Sequence, residues 1–528
     1  MKQLSGTDAM FLALEHGNNY MHVASLAIYD PSTAPGGGVR FKDVLRHFTS
    51  RMDQFPQFRR RLVHVPFSLD RPYWVEDATM DVEYHVRHIA LPHPGDWRQL
   101  CIQVARIHSR PLDRTKPLWE AYVIEGLHNV KGVPPGSFAL YTKTHHAIVD
   151  GESGTEIMKA LMSVTPDSGE AETAALPSHH AADRTPTAVE LYSRALVHNA
   201  QKVPSLARLS LSTAKRLAPL LGDAVGAVKE YAAETHQSVA AVLAGDLGAL
   251  VPKLPPETRF TGDVSPHRVF EAVGLPLSDF KVIRQQVGEA TVNDQFLTIV
   301  GGAVREYLAS KRELPEESLL AMVPMTLRGS EKGGDRGNQV GATLISVHTE
   351  IEDPVERLHA IRRKAEASKR LSEKLGKELM RDFLDNVPNL LASPLVRHVK
   401  MPKIGLIVSN VRGPDRPLYL AGAQLVNYVP ISIAVDRMGL NVTGFSYAGT
   451  MWICAVSCRE MLPDPGYFAE CLRNSFAALK DAAAREAAAA EAPARRRKAA
   501  RSAVLKGAAK KSRPVKKARG RRKAAQRA

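Results

Sequence analysis

The sequence predicts a mixed α/β (α+β) protein, with sheets covered by helices, laid out in two parts. Strand-like alternation and helix-like spacing follow one another through residues 1–165, joined by Gly- and Pro-rich connections. The same pattern resumes over residues 258–480. The stretch between them, 166–257, opens as a loop carrying Pro166, Ser168, Gly169, Pro177 and Pro186. It continues through 187–250 as a helical pattern in which Leu206, Leu209, Leu211, Leu217, Leu220 and Leu221 stand among Lys and Arg. That stretch reads as a helical connection between domains, or as a basic amphipathic surface that rests on lipid.

In the first part, Phe11 to Leu14 read as the end of a short helix, and Met21 to Tyr29 alternate as a strand. Phe41 to Met52 have helical spacing that buries Leu45, Phe48 and Met52. Trp97 to His108 form a second amphipathic helix, Trp119 to Ile124 a strand, Ser137 to Thr144 another, and Gly154 to Met162 a helix. In the second part, Asn293 to Leu308 place Phe296, Leu297, Val300, Val304 and Leu308 on one face, with Asn293 as a candidate cap. Gly301-Gly302 within that helix permit close packing. Leu319–Leu327, Val340–Thr349, Ile404–Ser409, Leu425–Val435 and Leu440–Tyr447 read as strands. Val355–Leu375 and Phe468–Leu479 read as helices. Gly333 to Asn338 form a loop that lacks the Lys-Ser/Thr of a phosphate-binding loop.

Charge is divided unevenly. Residues 481–528 hold 17 Lys and Arg against 3 acidic residues, while the preceding 480 hold 54 basic and 52 acidic ones. The body is therefore nearly neutral and the tail a polycation. The tail's Ala, Lys and Arg content predicts a disordered segment. Its candidate partners are anionic lipid head groups or nucleic acid; the bland reading is solubility alone. Hydrophobic content of 44% and charged content of 24% are those of a chain able to bury a large core. Cys101, Cys454, Cys458 and Cys471 form neither a CxxC pair nor a zinc spacing, which predicts free thiols in a reducing compartment. The N-terminus lacks the apolar core of a signal peptide, and no apolar run approaches a membrane span of about 20 residues. The expected location is cytoplasmic, on a membrane surface rather than across it.

The residues that carry chemistry are His145-His146-Ala147-Ile148-Val149-Asp150-Gly151, between a strand and a helix. An imidazole titrates near pH 6.5 and accepts a proton from a hydroxyl around neutrality. The bland readings are a structural turn with two ordinary histidines, or a metal site using His and Asp, for which no third ligand stands nearby. Of two adjacent side chains, one faces outward and the other packs. His146 is the candidate general base and His145 the packing or hydrogen-bonding residue. Asp150 either orients an imidazole or holds the turn by pairing with a buried cation. Gly151 lets the backbone turn where a Cβ obstructs.

This motif resembles the HHxxxDG signature of the CoA-dependent acyltransferase superfamily. Four further stretches narrow the resemblance to the bacterial wax ester synthase/acyl-CoA:diacylglycerol acyltransferase family. They are Leu4 to Phe11 followed by Glu15 and Met21-His22-Val23, then Pro117-Leu118-Trp119-Glu120 before Ile124 to Leu127, then Asn293-Asp294, and Ser409 to Pro414. Arg412 stands where the family usually has proline, which changes loop stiffness. The resemblance spans residues 1–480 and implies two chloramphenicol acetyltransferase-like lobes with a central channel and His146 near its middle. It implies acyl-CoA as co-substrate, no bound cofactor and no metal, and a place at the inner leaflet of the membrane or on lipid droplets. The acceptor is diacylglycerol, giving triacylglycerol, or a long-chain alcohol, giving wax ester. Asn293 and Asp294 become supporting residues, although a helix start explains both as well. Ser409 and Asn410 become channel-lining candidates, although a lobe-crossing turn explains them too. Pro117 to Trp119 most simply seat a strand. The oxyanion donors are not named by any of these motifs. The rival readings are a same-fold acyltransferase acting on a sugar, polyketide hydroxyl or amine, and a non-catalytic lipid-droplet or DNA-tethering protein.

Overall fold

The computed structural model describes residues 1–52, 56–148, 158, 161–166, 184–201, 255–288, 290–326, 340–363 and 402–511. Its strands are β1 (Lys2–Gln3), β2 (His22–Asp30), β3 (Arg60–Val63), β4 (Tyr73–Glu76), β5 (Val86–Ala90), β6 (Trp119–Glu125), β7 (Phe138–His145), β8 (Arg268–Pro276), β9 (Leu320–Thr326), β10 (Val340–Ser346), β11 (Leu406–Arg412), β12 (Tyr419–Leu420), β13 (Ala423–Ile431), β14 (Leu440–Tyr447) and β15 (Thr450–Cys458). The helices are α1 (Gly6–Leu14), α2 (Phe41–Arg51), α3 (Val82–His85), α4 (Trp97–His108), α5 (188–201), α6 (Leu277–Val287), α7 (Val292–Ser310), α8 (354–363) and α9 (Pro465–Lys511).

Two six-stranded sheets organise the chain. The first has the order β12-β13-β2-β7-β6-β5 and the second β10-β9-β11-β14-β15-β8. Alternation along β2 covers both faces of the first sheet. Leu26 and Ile28 pack with Leu100 and Val104 of α4, while Ala27 and Tyr29 pack with Val44 and Phe48 of α2. In the second sheet, Leu406, Val408, Leu440 and Val442 pack against Phe296, Val300 and Val304 of α7 and Phe468, Leu472 and Leu479 of α9. Caps fix the helix starts. Ser5 Oγ accepts from the Asp8 N–H at the head of α1, and Asp96 and Gln99 form a reciprocal capping box on α4. Gly301 and Gly302 sit where any Cβ would collide with the Val347 carbonyl, the Ser475 hydroxyl and Arg357, so α7 packs closely there.

The two halves in sequence do not each form a closed lobe. β12 and β13, which belong to the 258–480 stretch, extend the first sheet, with β13 antiparallel to β2 from Gln424↔Asp30 to Ile431↔Ala24. This exchange leaves no mark in local periodicity. Polar ties reinforce it. The Asn19 Nδ2 donates to Asp436 Oδ2 at 2.8 Å, the Asp436 N–H donates back to Asn19 Oδ1 at 2.7 Å, and Trp97 Nε1 donates to Glu271 at 2.5 Å.

Other expectations are corrected. The tail does not become irregular at Asp481: α9 continues to Lys511. Leu479, Ala482 and Ala483 are buried and carry the helix past that point, and the Ala-rich sequence that follows favours it. The cap of α7 is Thr291, one residue before the helix, rather than Asn293; its hydroxyl accepts from the Asp294 N–H. β11 does not end at Ser409 but runs through Arg412, because Ser409 to Arg412 pair in parallel with Thr443 to Ser446 of β14. The strand expected over Leu425–Val435 is shorter, ending at Ile431. The helix from Gly154, the leucine pattern over 206–221 and the Gly333–Asn338 loop lie outside the described residues, apart from Met158, Leu161 and Met162. The four cysteines are free and buried. Among the described residues, no helix is long and apolar enough to cross a membrane.

Candidate functional site

β7 ends at His145, and the chain then turns at His146. Three backbone hydrogen bonds hold this end. The His145 N–H donates to the Leu118 carbonyl at 3.0 Å, the His146 N–H to the Met21 carbonyl at 2.7 Å, and the Ile148 N–H to the His145 carbonyl at 3.1 Å. Pro117-Leu118-Trp119 thus anchor the strand that delivers the histidines. Trp119 Nε1 donates to the Phe58 carbonyl at 2.8 Å, and its ring stacks on His85.

The histidines occupy different environments. His145 is fully buried and hydrogen-bonded at both nitrogens. Its Nδ1 accepts from the Ala147 N–H at 3.0 Å, so Nε2 carries the proton and donates to Glu15 Oε2 at 2.9 Å. Glu15 also accepts from the Met21 N–H at 3.1 Å and pairs with Arg114 at 3.2 Å. Burial pushes the Glu15 carboxyl up. The His145 hydrogen bond, the Arg114 charge and the Met21 N–H outweigh burial and hold it below the usual carboxylate range. His146 is partly exposed, and its ring stacks on Phe11 with centroids 4.1 Å apart and planes 13° apart.

Phe11 locates His146 at the junction of the sheets. It shares a cluster with Met21 from the first part and with Ile404, Ile407, Val435 and Met438 from the second. Along β11, Ile407, Ser409 and Val411 share the face toward the first sheet, since Val411 packs with the cluster around Tyr29. Leu406, Val408 and Asn410 share the opposite face, toward α7. Ser409 and Asn410, paired in the sequence reading as channel-lining, therefore stand on opposite sides of one strand.

Asn293 and Asp294 lie in the first turn of α7. Asp294 accepts from the Thr291 N–H at 2.9 Å and the Thr291 hydroxyl at 2.7 Å, which accounts for it as a capping-box residue. Phe296, one turn on, meets Gly444, the register partner of Asn410, so this helix start and β11 approach the same point. Arg412 is exposed and pairs with Asp415 at 3.0 Å. Gly413 beside it tolerates no Cβ, which would strike the Phe445 ring and the Ser446 carbonyl. Asp150 and Gly151 lie outside the described residues.

Two groups were missed by the sequence reading of roles. Glu15 entered it only as part of an opening motif. Asn441 and Thr443 on β14 alternate onto the junction-facing side, opposite Ile407 and Ser409 of β11. Asn441 is 1% exposed; its Oδ1 accepts from the Thr443 hydroxyl at 2.7 Å, and its Nδ2 has no hydrogen-bond partner among the described residues. Spacing gave no signal for either, because the partners come from distant strands. A separate surface cavity of about 480 Å³, lined by Glu257, Arg259, Asp263, Lys403 and Arg437, does not include the histidines. Its Lys403 and Arg259 are paired with Glu257 and Glu313. Among the described residues, no group of three His, Cys, Asp or Glu is placed to hold a metal.

Two sheet-centred lobes, the first sheet extended by β12 and β13 and its central strand β7 ended by His145, make a condensation-domain-like acyltransferase fold. The first condensation domain of the CDA synthetase shares the fold at 12% identity and a TM-score of 0.51, with 92% of this chain and 97% of that one covered. The wax ester synthase/diacylglycerol acyltransferase from Marinobacter aquaeolei is more similar, at 26% identity and a TM-score of 0.61, covering 92% of this chain and all of that one. The sequence profile of the wax ester synthase/diacylglycerol acyltransferase catalytic domain matches residues 4–296, and that of the family's C-terminal domain matches 336–480. A Mycobacterium tuberculosis protein named probable diacylglycerol O-acyltransferase is 32% identical over 91% of this chain and 98% of its own length. The Acinetobacter baylyi O-acyltransferase WSD is 30% identical over 88% of this chain and 93% of its own. The chain belongs to the wax ester synthase/diacylglycerol acyltransferase family, and it is an acyltransferase.

Proposed function

We propose that the chain transfers the acyl group of an acyl-CoA to the hydroxyl of diacylglycerol, giving triacylglycerol, with long-chain alcohols as second acceptors giving wax esters. His146 is the general base. It takes the acceptor's hydroxyl proton as that oxygen attacks the thioester carbonyl. The tetrahedral oxyanion then collapses, the C–S bond breaks, and the CoA thiolate takes the proton from His146. No covalent enzyme intermediate is required, and both reactants meet in line at the lobe junction.

The observation that carries this reading is the division of labour between the two histidines. His145 is buried with both nitrogens engaged, whereas His146 is partly exposed at the junction with its ring held against Phe11. Asn441 Nδ2 is the proposed oxyanion donor, since it is buried on the junction-facing side of β14 two strand positions from Thr443. Docking on a lipid surface is supported by an apolar patch. Phe67 is 87% exposed at a positive φ, and Val189, Tyr192, Leu196 and Val197 line the outer side of α5. The inner side of α5 packs through Leu191 and Ala195, and Asn199 ties it to the Leu69 carbonyl at 2.9 Å, beside Phe67.

The test is CoA release from palmitoyl-CoA with diacylglycerol and hexadecanol offered separately, for the wild type and His146→Ala. Acceptor-dependent release that falls by about two or more orders of magnitude in the variant is expected. Turnover of neither acceptor by folded wild-type protein rejects the neutral-lipid reading. Undiminished turnover by the variant rejects His146 as base.

A further inference from the structure

The C-terminal helix α9 runs from Pro465 to Lys511. Both family profiles end by residue 480, and among the described side chains the outermost ion pair between α9 and the body is His359–Glu486 at 3.6 Å. Beyond it the backbone stays helical to Lys511, through Pro493, which donates no hydrogen bond and marks off the outer stretch. Residues 491–528 carry sixteen Lys and Arg against one acidic residue, Glu491, in a chain whose net charge is +16. Nearly all the protein's excess charge is concentrated there.

The arrangement distinguishes between polyanions. Arg495, Arg496, Arg497, Lys498, Arg501, Lys506, Lys510 and Lys511 fall in the helical stretch. At about 3.6 residues per turn, the four consecutive positions 495–498 alone encircle the axis. The large apolar residues of 491–511 are Val504 and Leu505 only, so the sequence supplies no apolar stripe of the kind that holds a helix in a lipid interface. A flat anionic bilayer meets one side of a helix. The major groove of a nucleic-acid duplex is about 12 Å wide, admits a helix, and lines it with phosphates on both flanks. From 495 to 511 the helix is roughly 25 Å long, so its eight cations run at about one per 3 Å, beside a phosphate charge every ~1.7 Å of duplex axis. Eight further Lys and Arg follow in 512–528.

We propose that the helical stretch 491–511 binds double-stranded DNA by lying in the major groove. Contacts are to phosphates, so binding is indifferent to sequence. The inference is independent of the acyl-transfer reading.

The test uses the full chain and a variant carrying R495Q, R496Q, R497Q, K498Q and R501Q, since glutamine keeps helix propensity and removes charge. Fluorescence anisotropy with two unrelated 25-base-pair duplexes is followed from 50 to 200 mM salt. A parallel arm measures co-sedimentation with vesicles containing anionic lipid at equal anion concentration. The wild type is expected to bind both duplexes alike, more tightly than vesicles. The variant is expected to bind at least tenfold more weakly, with a log-log salt slope shallower by about four. Acyl transfer to soluble acceptor stays unchanged in the variant. Equal duplex binding by the two proteins, no duplex binding by the wild type at 50 mM salt, or preference for vesicles each overturns the proposal.

Discussion

Glu15 and His145 are 130 residues apart in sequence, and their side chains meet at 2.9 Å. The contact couples both histidines to one carboxylate. Glu15 holds His145 directly and also accepts from the Met21 N–H, while the Met21 carbonyl accepts from the His146 N–H. Glu15→Ala is expected to lower kcat by roughly tenfold to a hundredfold, the usual cost of losing an orienting partner, with little change in KM. Glu15→Gln keeps an acceptor oxygen and loses less. Steady-state kinetics on both variants, alongside their melting temperatures, check this. An undiminished kcat in folded Glu15→Ala would reduce Glu15 to a stabilising role.

Asn441 is expected to act on the chemical step. Asn441→Ala should lower kcat by about 10²–10³-fold at nearly constant KM, the signature of a lost oxyanion donor. The measurement is a kcat and KM comparison on one acyl-CoA. A change confined to KM would make Asn441 a binding residue instead.

Lys143, two residues before His145, is fully buried. Its Nζ pairs with Glu120 and donates to the carbonyls of Ile107 at 3.1 Å and Arg110 at 2.9 Å, closing the C-terminal end of α4. Lys143→Met leaves Glu120 with Arg87 and the Tyr122 hydroxyl, both at 3.4 Å, and is expected to cost about 3–5 kcal/mol. Adding Glu120→Leu removes the stranded carboxylate and should restore part of that loss. Denaturant unfolding of the two variants checks the sign; a double variant less stable than the single one would contradict it.

Acid should destabilise the protein before its carboxylates titrate. Burial holds His108 down at about 3, and its Nδ1 lies 2.9 Å from the Tyr141 hydroxyl. Burial also holds His22 well below its ordinary 6.5. Below pH 6.5 the unfolded chain binds protons that the folded chain refuses, so stability rises with pH, and it is lost progressively as pH falls from 6.5 toward 3. Each such histidine contributes about 1.4 kcal/mol per pH unit within that window. His108→Gln should flatten the fall in melting temperature between pH 7 and pH 5. An unchanged pH slope would mean His108 takes up a proton in the folded state.

Much of this molecule was legible in its sequence. The α4 and β14 boundaries follow from periodicity alone, since Leu100 and Val104 or Leu440 and Val442 repeat on the face their element buries. The His145-His146 turn at the end of a strand was legible because strand alternation and the following Gly and Asp are local signals. Helix propensity misplaced the α7 cap by two residues, since Thr291 and Asp294 compete with Asn293 for that role. Composition also misjudged α9, because an Ala-rich cation run reads as solvated chain although alanine favours the helix it continues.

The sequence by itself determined the elements, the family and the chemistry-bearing pair of histidines, all of which rest on residues close together in the chain. Only the tertiary structure decided that β13 crosses to pair with β2, that Glu15 rather than a neighbour orients His145, that Phe11 presses on His146, and that Ser409 and Asn410 face opposite ways. Each of those facts joins positions far apart in sequence, where burial and hydrogen-bond satisfaction across strands, rather than local periodicity, select the partner.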